Sequence, residues 1–350
     1  VASVVRETRD AVALTFEVPA ALREVFIHQP GQHLTIKATI AGEDVRRSYS
    51  ICSAPHEELL RVAVKRVAGG AFSSWANEHL TVGTRLEVMA PTGHFHVALA
   101  ADHRKHYLAF AAGSGITPIL SIIKQTLKSE PESRFTLVYG NRASSSVLFK
   151  EELADLKDLN MGRLNLVHVL SREQQDIELF NGRIDRAKVE ALLARWISIE
   201  DVDTVFLCGP LAMMEAVRDA LEAAGVARSA IRMELFAASA AQAHPALRAH
   251  PAPGANECEV SVIQDGRTTF FTMAKNQSSV LDAALEQGME LPYSCKTGVC
   301  STCRCKRLSG EVDMDANFAL EDYEIARGFI LPCQSYPVTD KLVLDYDQDT

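Results

Sequence analysis

Cys295, Cys300 and Cys303 follow one another as C-x4-C-x2-C, and Cys333 lies thirty residues beyond the last of them. Four thiolates in this spacing hold the two irons of a [2Fe–2S] cluster. A short loop must then wrap one side of the metal with its backbone N–H groups aimed at the sulfurs. That favours small residues between the ligands, here Gly298, Ser301 and Thr302. A zinc site would pair two C-x2-C knuckles, and the chain has one. A disulfide framework would need an oxidising compartment, and no signal peptide precedes the chain as given. Cys305 is the spare thiol: it follows Cys303 by two, as on the same face of a short strand, and is read as a non-ligand.

The flanks of the cysteines agree. Ser279-Val-Leu-Asp282 reads as an N-cap with an acidic third residue, opening a helix over 280–287 that Gly288 stops. Residues 259–264 and 268–272 read as two strands joined at Asp265-Gly266. Strand, turn, strand, helix, cysteine loop and distal cysteine, with the Leu291-Pro-Tyr-Ser-Cys295 entry, resemble the plant-type ferredoxin, an α+β (β-grasp) fold, across 257–350. A ferredoxin carries one electron and makes no bonds. The rest of the chain must supply that electron.

At 350 residues two or three domains are expected, and 47% hydrophobic content suffices for ordinary cores. The longest uncharged run, 107–123, contains Gly113, Ser114, Gly115, Thr117 and Pro118, which suits a strand–turn–helix rather than a membrane span. A cytoplasmic protein with no membrane partner is expected. The net charge of −9 is concentrated in residues 257–350, which hold 16 acidic against 8 basic side chains. Nucleic acid is excluded as a partner by such a surface. Its acidity is either a solvated face or a field that steers a redox partner.

Residues 1–101 show short alternating stretches at 12–18, 32–40, 43–50, 59–66 and 85–89, broken at Pro30-Gly31, Ala41-Gly42, Gly69-Gly70 and Pro91-Thr92-Gly93. That is the pattern of a small antiparallel β-barrel. Within it, Arg47, Tyr49 and Ile51 share one face of an alternating strand and Ser48 and Ser50 the other. An arginine two residues from a tyrosine offers a phosphate donor beside a flat ring. In Val64-Lys65 through Gly69-Gly70-Ala71-Phe72-Ser73, the glycine pair lets backbone approach an anion, and the following helix adds its N-terminal donors.

From residue 102 to 236 the period changes to strands alternating with helices, an α/β domain with a parallel sheet and ligands at the carboxyl ends of its strands. Gly113-Ser114-Gly115-Ile116-Thr117-Pro118 sits at one such end, where glycines admit a pyrophosphate and Pro118 pre-organises the helix. Cys208-Gly209-Pro210 ends another strand. Residues 237–256, rich in Ala, Pro and His, read as a linker, and His244 and His250 have no metal-binding companions.

Taken together, Arg47-Ser-Tyr49-Ser50, the Gly-Gly turn, Gly-x-Gly-x-Thr-Pro and Cys-Gly-Pro resemble the ferredoxin–NADP reductase family. The resemblance implies that Arg47 binds flavin phosphate, Tyr49 packs on the isoalloxazine and Ser50 lies near its reactive nitrogen. Ile51, Val64 and Lys65 join the flavin-binding set, with Gly70, Phe72 and Ser73 at the pyrophosphate. Gly113, Ser114, Gly115, Thr117 and Pro118 take the nicotinamide nucleotide. Cys208, Gly209 and Pro210 lie beside nicotinamide and flavin, with Ser50 and Cys208 as the catalytic pair, and Phe236 lies near the flavin. FAD is favoured over FMN because it is commoner with this Gly-Gly loop. Arg142, Ser171 and Arg172 follow two strand ends and match a 2′-phosphate, so NADPH is expected over NADH.

Nicotinamide gives two electrons as a hydride and a cluster takes one, so a flavin must convert between them. The expected relay runs from NADPH to FAD to [2Fe–2S]. Reductases with these three modules in this order feed oxygenases, and the chain most resembles those of phenylacetyl-CoA epoxidase systems, whose oxygenase is a diiron enzyme. Reductases of steroid 9α-hydroxylases or of hybrid-cluster proteins are the alternatives, and a non-catalytic redox sensor is the rival class. Ser301 departs from the Gly or Ala that many members carry, and is expected to fit.

Overall fold

A computed structural model describes residues 1–237, 257–275 and 277–348. The linker read at 237–256, with His244 and His250, lies outside these residues apart from Ala237.

The first domain is built from β1 (Ser3–Thr8), β2 (Ala11–Phe16), β3 (His33–Ile40), β4 (Glu43–Ser50), β5 (Leu60–Lys65) and β6 (Glu87–Val88), with helix α1 (Ala71–Glu78) between the last two strands. They form two three-stranded antiparallel sheets, β1-β2-β5 and β4-β3-β6, joined by a bridge between Ile51 and Val62. Alternation puts Val12, Leu14, Leu34, Ile36, Val62 and Val64 inward, where Phe72 and Ala76 of α1 close the core. The strand β1 was not legible from pattern: its charged Arg6 and Glu7 interrupt a short run, and pairing to β2 along one edge decides it.

The second domain carries β7 (His106–Ala112), β8 (Arg134–Asn141), β9 (Leu164–Leu170), β10 (Thr204–Cys208) and β11 (Ile231–Glu234), with α2 (Ile116–Ser129), α3 (Lys150–Leu159), α4 (Arg186–Arg195) and α5 (Leu211–Ala223). The sheet is parallel throughout, in the order β11-β10-β7-β8-β9. Strand order reverses beside β7, so the crevice for a ligand opens at the carboxyl ends of β7 and β10. Helix α2 also grips the barrel. Ser121 donates its hydroxyl to the Ser53 carbonyl at 2.7 Å, Gln125 Oε1 accepts from the His56 amide at 3.2 Å, and Lys124 Nζ meets Glu57 Oε1 at 2.8 Å.

Contacts divide the chain into two compact units, Val1–Leu235 and Phe236–Thr350. The second holds β12 (Glu257–Gln264), β13 (Arg267–Ala274), α6 (Val280–Glu286), β14 (Cys305–Ser309), β15 (Val312–Met314), α7 (Asp322–Ala326), β16 (Phe329–Ile330), β17 (Ser335–Pro337) and β18 (Lys341–Asp345). Five strands form a sheet in the order β13-β12-β18-β14-β16, and β15 pairs with β17. Asp265 and Gly266 both take positive φ, 52° and 69°, the two-residue turn that suits a twisted hairpin. Ser279 caps α6 by accepting from the Asp282 amide at 3.1 Å. Cys303 stands in a turn, and β14 begins only at Cys305, so the two thiols do not share a strand face as the spacing suggested. Among the described residues no helix is long and apolar enough to cross a membrane.

Candidate active site and cluster loop

Strand β4 pairs with β3 without a slip from Glu43 to Ser50, which preserves the alternation read from sequence. Arg47 is exposed, and its guanidinium donates to the Arg46 carbonyl at 2.7 Å. The Tyr49 ring lies 5.3 Å from that of Phe72, tilted by 37°, and burial pushes its phenol pKa up. Ile51 and Val64 are buried in the barrel core. At the start of α1, Ser73 Oγ accepts from the Val67 amide at 3.1 Å and donates to the Gly70 carbonyl at 3.3 Å, so its hydroxyl shapes the Gly-Gly turn itself. Lys65 brings a cation to the nucleotide turn: its Nζ is 3.6 Å from where a Cβ on Gly113 would lie.

Across the crevice, Gly113 takes a φ of +54° and its carbonyl accepts from the Tyr139 hydroxyl at 2.8 Å. The half-buried Ser114 offers its carbonyl to Thr117 Oγ1 at 2.9 Å, and Pro118 is buried behind them. Gly115 must be glycine for a packing reason that the sequence did not show. A Cβ there would stand 2.1 Å from the Cys208 carbonyl oxygen, so its bareness lets α2 approach β10. Gly209 is less tightly held, since a Cβ on it would lie 2.7 Å from the movable Met213 Cε and 3.1 Å from Ala112 Cβ, and Pro210 caps α5.

The two arginines expected at the 2′-phosphate come from neighbouring strand ends. The Arg172 amide donates to the Arg142 carbonyl at 2.8 Å, the Ser171 amide to the Asn141 carbonyl at 3.0 Å, and both arginine side chains are exposed. Phe236, expected near the flavin, is half-buried just past β11 and is the first residue of the second compact unit.

The residue that sequence reasoning passed over is Glu234. Its carboxylate accepts from Ser50 Oγ at 2.9 Å, and it pairs with Cys208 across β10 and β11. Ser50 and Cys208, expected as a pair, are thus brought together through it. Burial raises the Glu234 pKa to about 8, with the Ser50 hydrogen bond opposing, although the residue as a whole is only half-buried. Burial first, and the Glu234 charge second, push the Cys208 thiol well up, so Cys208 is a neutral thiol here. An acid closing the short parallel strand Ile231–Glu234, directly before Leu235-Phe236, was the available signal.

In the second unit the four expected thiols fall into two pairs. Cys300 holds Cys295 down to about 5 by a hydrogen bond, helped by the Thr297 and Val299 amides, while Cys333 pushes Cys303 well up. Backbone donors point at sulfur, with Thr297 N to Cys295 Sγ at 3.3 Å and Cys295 N to Cys300 Sγ at 3.5 Å. Gln334 ties the distal cysteine to the loop by donating to both the Lys296 and the Cys333 carbonyls at 2.9 Å. Gly298 takes a φ of +77°, and a Cβ on it would meet the Ala316 carbonyl oxygen at 2.7 Å. The Thr297 and Tyr346 hydroxyls are buried, with a thiol as the neighbour of each, Cys295 for Thr297 and Cys305 for Tyr346. Two thiol pairs and amides aimed at sulfur fit a two-iron cluster. Among the described residues no three His, Cys, Asp or Glu side chains gather closely enough to hold a metal ion between them.

Comparison with known proteins covers the same three parts. Residues 1–97 match the oxidoreductase FAD-binding domain, 110–219 the oxidoreductase NAD-binding domain and 262–338 the 2Fe-2S iron-sulfur cluster binding domain. One of the subunits of the 1,2-phenylacetyl-CoA epoxidase of Escherichia coli is 47% identical over 99% of this chain and 96% of its own length. The ferredoxin reductase component of the 3-ketosteroid-9-alpha-monooxygenase of Rhodococcus rhodochrous is 35% identical over 99% and 95%. Phthalate dioxygenase reductase has the same fold, with a TM-score of 0.57 at 23% identity over 98% of this chain and 96% of that one. The chain belongs to the ferredoxin-reductase family of oxidoreductases that join FAD-binding, NAD-binding and [2Fe–2S] domains, the electron-transfer components of oxygenase systems.

Proposed function

We propose that this chain draws electrons from NADPH and delivers them singly, through FAD and the cluster, to a diiron oxygenase that epoxidises phenylacetyl-CoA. The observation that carries the redox half is the Ser50–Glu234 hydrogen bond, which places the end of the flavin strand against the carboxyl ends of β10 and β11. A bound FAD would accept the hydride and release its electrons one at a time. The chain's part is to hold the partners and manage protons. Arg47 faces outward to take phosphate, the Tyr49 ring offers a stacking face, and Arg142 and Arg172 stand together for a 2′-phosphate. Below about pH 8 the Glu234 carboxyl holds a proton beside the Ser50 hydroxyl, and the neutral thiol of Cys208 belongs to the register partner of Glu234. The paired cysteines would hold the cluster, Cys295 with Cys300 and Cys303 with Cys333.

The partner reading is supported by the 47% relative, ahead of the 35% ketosteroid reductase, over equal shares of the chain. Cytoplasmic placement accords with eight free cysteines. The test is to load the chain with FAD and cluster, mix it with phenylacetyl-CoA epoxidase or 3-ketosteroid 9α-monooxygenase oxygenase components, and follow NADPH use with product. Epoxide formed in step with NADPH supports the assignment. Coupled turnover only with the steroid oxygenase moves the partner, and absence of any flavin bleaching by NADPH returns the chain to the sensor class.

A further inference from the structure

The two domains of the first unit must hold a nicotinamide against a flavin, and a single buried lysine stands where they are fastened. Helix α2 begins at the Gly113–Gly115 turn, so the candidate nucleotide site and the helix axis move as one body. Strand β4 runs on from Ser50 through Ile51 and Cys52 into the loop at Ser53–Glu57, so that loop moves with the candidate flavin strand. Ser121, Lys124 and Gln125 share one face of α2, at spacings of three and four, and all three hold this loop.

Lys124 does more than its neighbours. Its Nζ donates to both Glu57 oxygens, at 2.8 and 2.9 Å, and Glu57 Oε2 is itself fixed by the Ala54 amide at 2.6 Å. On its other side Lys124 pairs with Glu152 of α3, and Glu152 takes Arg61 of β5 on both oxygens at 2.7 Å. Arg61 lies over the Phe149 ring at 5.2 Å. The charges therefore alternate barrel, helix, helix, barrel, and close on the barrel at two separate points, Glu57 and Arg61. Ser121 and Gln125 hold the first of these points and Arg61 with Glu152 the second, and Lys124 is the charge that couples the two. The Lys124 side chain is 5% exposed, so salt and water screen this pairing little.

Resting on the hydride-transfer function above, we propose that Lys124 is a positioning residue that sets the approach of nicotinamide to flavin by locking α2 and α3 to the barrel through Glu57, Glu152 and Arg61. An apolar side chain could fill the same space and keep the domains together. Charge–charge hydrogen bonds add direction, and direction is what hydride transfer needs: a misplacement of about 1 Å costs about 100-fold in rate.

The experiment is stopped-flow reduction of FAD by NADPH in the full chain, with Lys124→Met, Lys124→Arg and Glu152→Gln. Lys124→Met is expected to lower the limiting rate of flavin reduction about 10- to 100-fold while FAD content and the NADPH Kd stay within about twofold. Glu152→Gln should do the same to a smaller degree, and Lys124→Arg should restore most of the rate. A limiting rate per bound FAD equal to wild type in Lys124→Met would overturn the proposal, even if Tm falls, since lost stability alone is a structural role. If Lys124→Met does not fold, the same comparison is read from Glu152→Gln. Failure of wild type itself to accept a hydride overturns the function and this inference with it, whereas normal wild-type bleaching with unchanged variants overturns the inference alone.

Discussion

The Ser50 hydroxyl donates to the Glu234 carboxylate at 2.9 Å across 184 positions of sequence, tying the last residue of β4 to the last residue of β11. Nothing local demands a serine or a glutamate at either strand end. The pair exists because the barrel and the parallel sheet present their ligand-facing ends to one another, and Cys208 is drawn in as the register partner of Glu234.

Glu234 should give the enzyme a pH limb. Its pKa of about 8 in the fold lies above the ordinary carboxyl value, so between those two pH values the folded chain holds a proton that the unfolded chain has lost. Stability from this group is therefore full below the ordinary value, falls as pH rises, and levels off above about 8. Glu234→Gln, neutral throughout, should flatten that fall in Tm measured from about pH 5 to 9. It should also remove the limb near 8 from the pH profile of ferricyanide reduction. An unchanged profile would show that Glu234 does not titrate there.

Cys300→Ser should abolish cluster absorbance and cytochrome c reduction while leaving ferricyanide reduction by the flavin largely intact. Cys305→Ser should keep all three, because Cys305 opens β14, and burial together with neighbouring Asp345 keeps its thiol protonated. Visible spectra and the two dye assays separate the variants. Survival of cytochrome c reduction in Cys300→Ser would remove it from the ligand set.

Much of this was legible beforehand, for identifiable reasons. Continuous apolar runs such as 107–112 and 204–208 carry their own signal, and β9 and β10 fall where the pattern put them. The cysteine spacing is legible because metal geometry imposes it on a single loop. Glu234 was not, since its role depends on Ser50, which only the tertiary fold brings near. At Gly115 the bare backbone is visible in sequence, but not that the Cys208 carbonyl needs the room. Gln334, holding Cys333 to the Lys296 carbonyl, carries no motif at all.

Coenzyme choice should depend on the paired loops after β8 and β9. Arg142→Ala and Arg172→Ala should each raise the KM for NADPH about 10- to 100-fold, the worth of a charge-assisted hydrogen bond, and leave that for NADH within about twofold. The 2.8 Å bond from the Arg172 amide to the Arg142 carbonyl sets the two exposed arginines on neighbouring strand ends, as a shared phosphate contact would require. Steady-state kinetics with both coenzymes decide the matter. Equal changes for the two would exclude a 2′-phosphate contact.

The cluster loop should respond in opposite directions to two small substitutions. Ser301 sits at a φ of +48°, in the left-handed region where a side chain costs about 1–2 kcal/mol. Ser301→Gly relieves that strain and gives back part of it as extra freedom of the unfolded chain, about 0.4–1 kcal/mol. The net gain is about 0.5–1 kcal/mol, seen as later bleaching of cluster absorbance on heating the loaded full chain. The small size of Ser301 does not reveal this backbone cost. Gly298→Ala adds a methyl in the same loop and meets backbone instead, with the Ala316 carbonyl oxygen 2.7 Å from the new carbon at a φ of +77°. Backbone cannot swing aside as a side chain can, so the loop must shift and carry Cys295 and Cys300 with it. That variant should lose cluster on purification while binding FAD normally. Retention of a full cluster in Gly298→Ala would mean that the loop yields more readily than its packing against Ala316 implies.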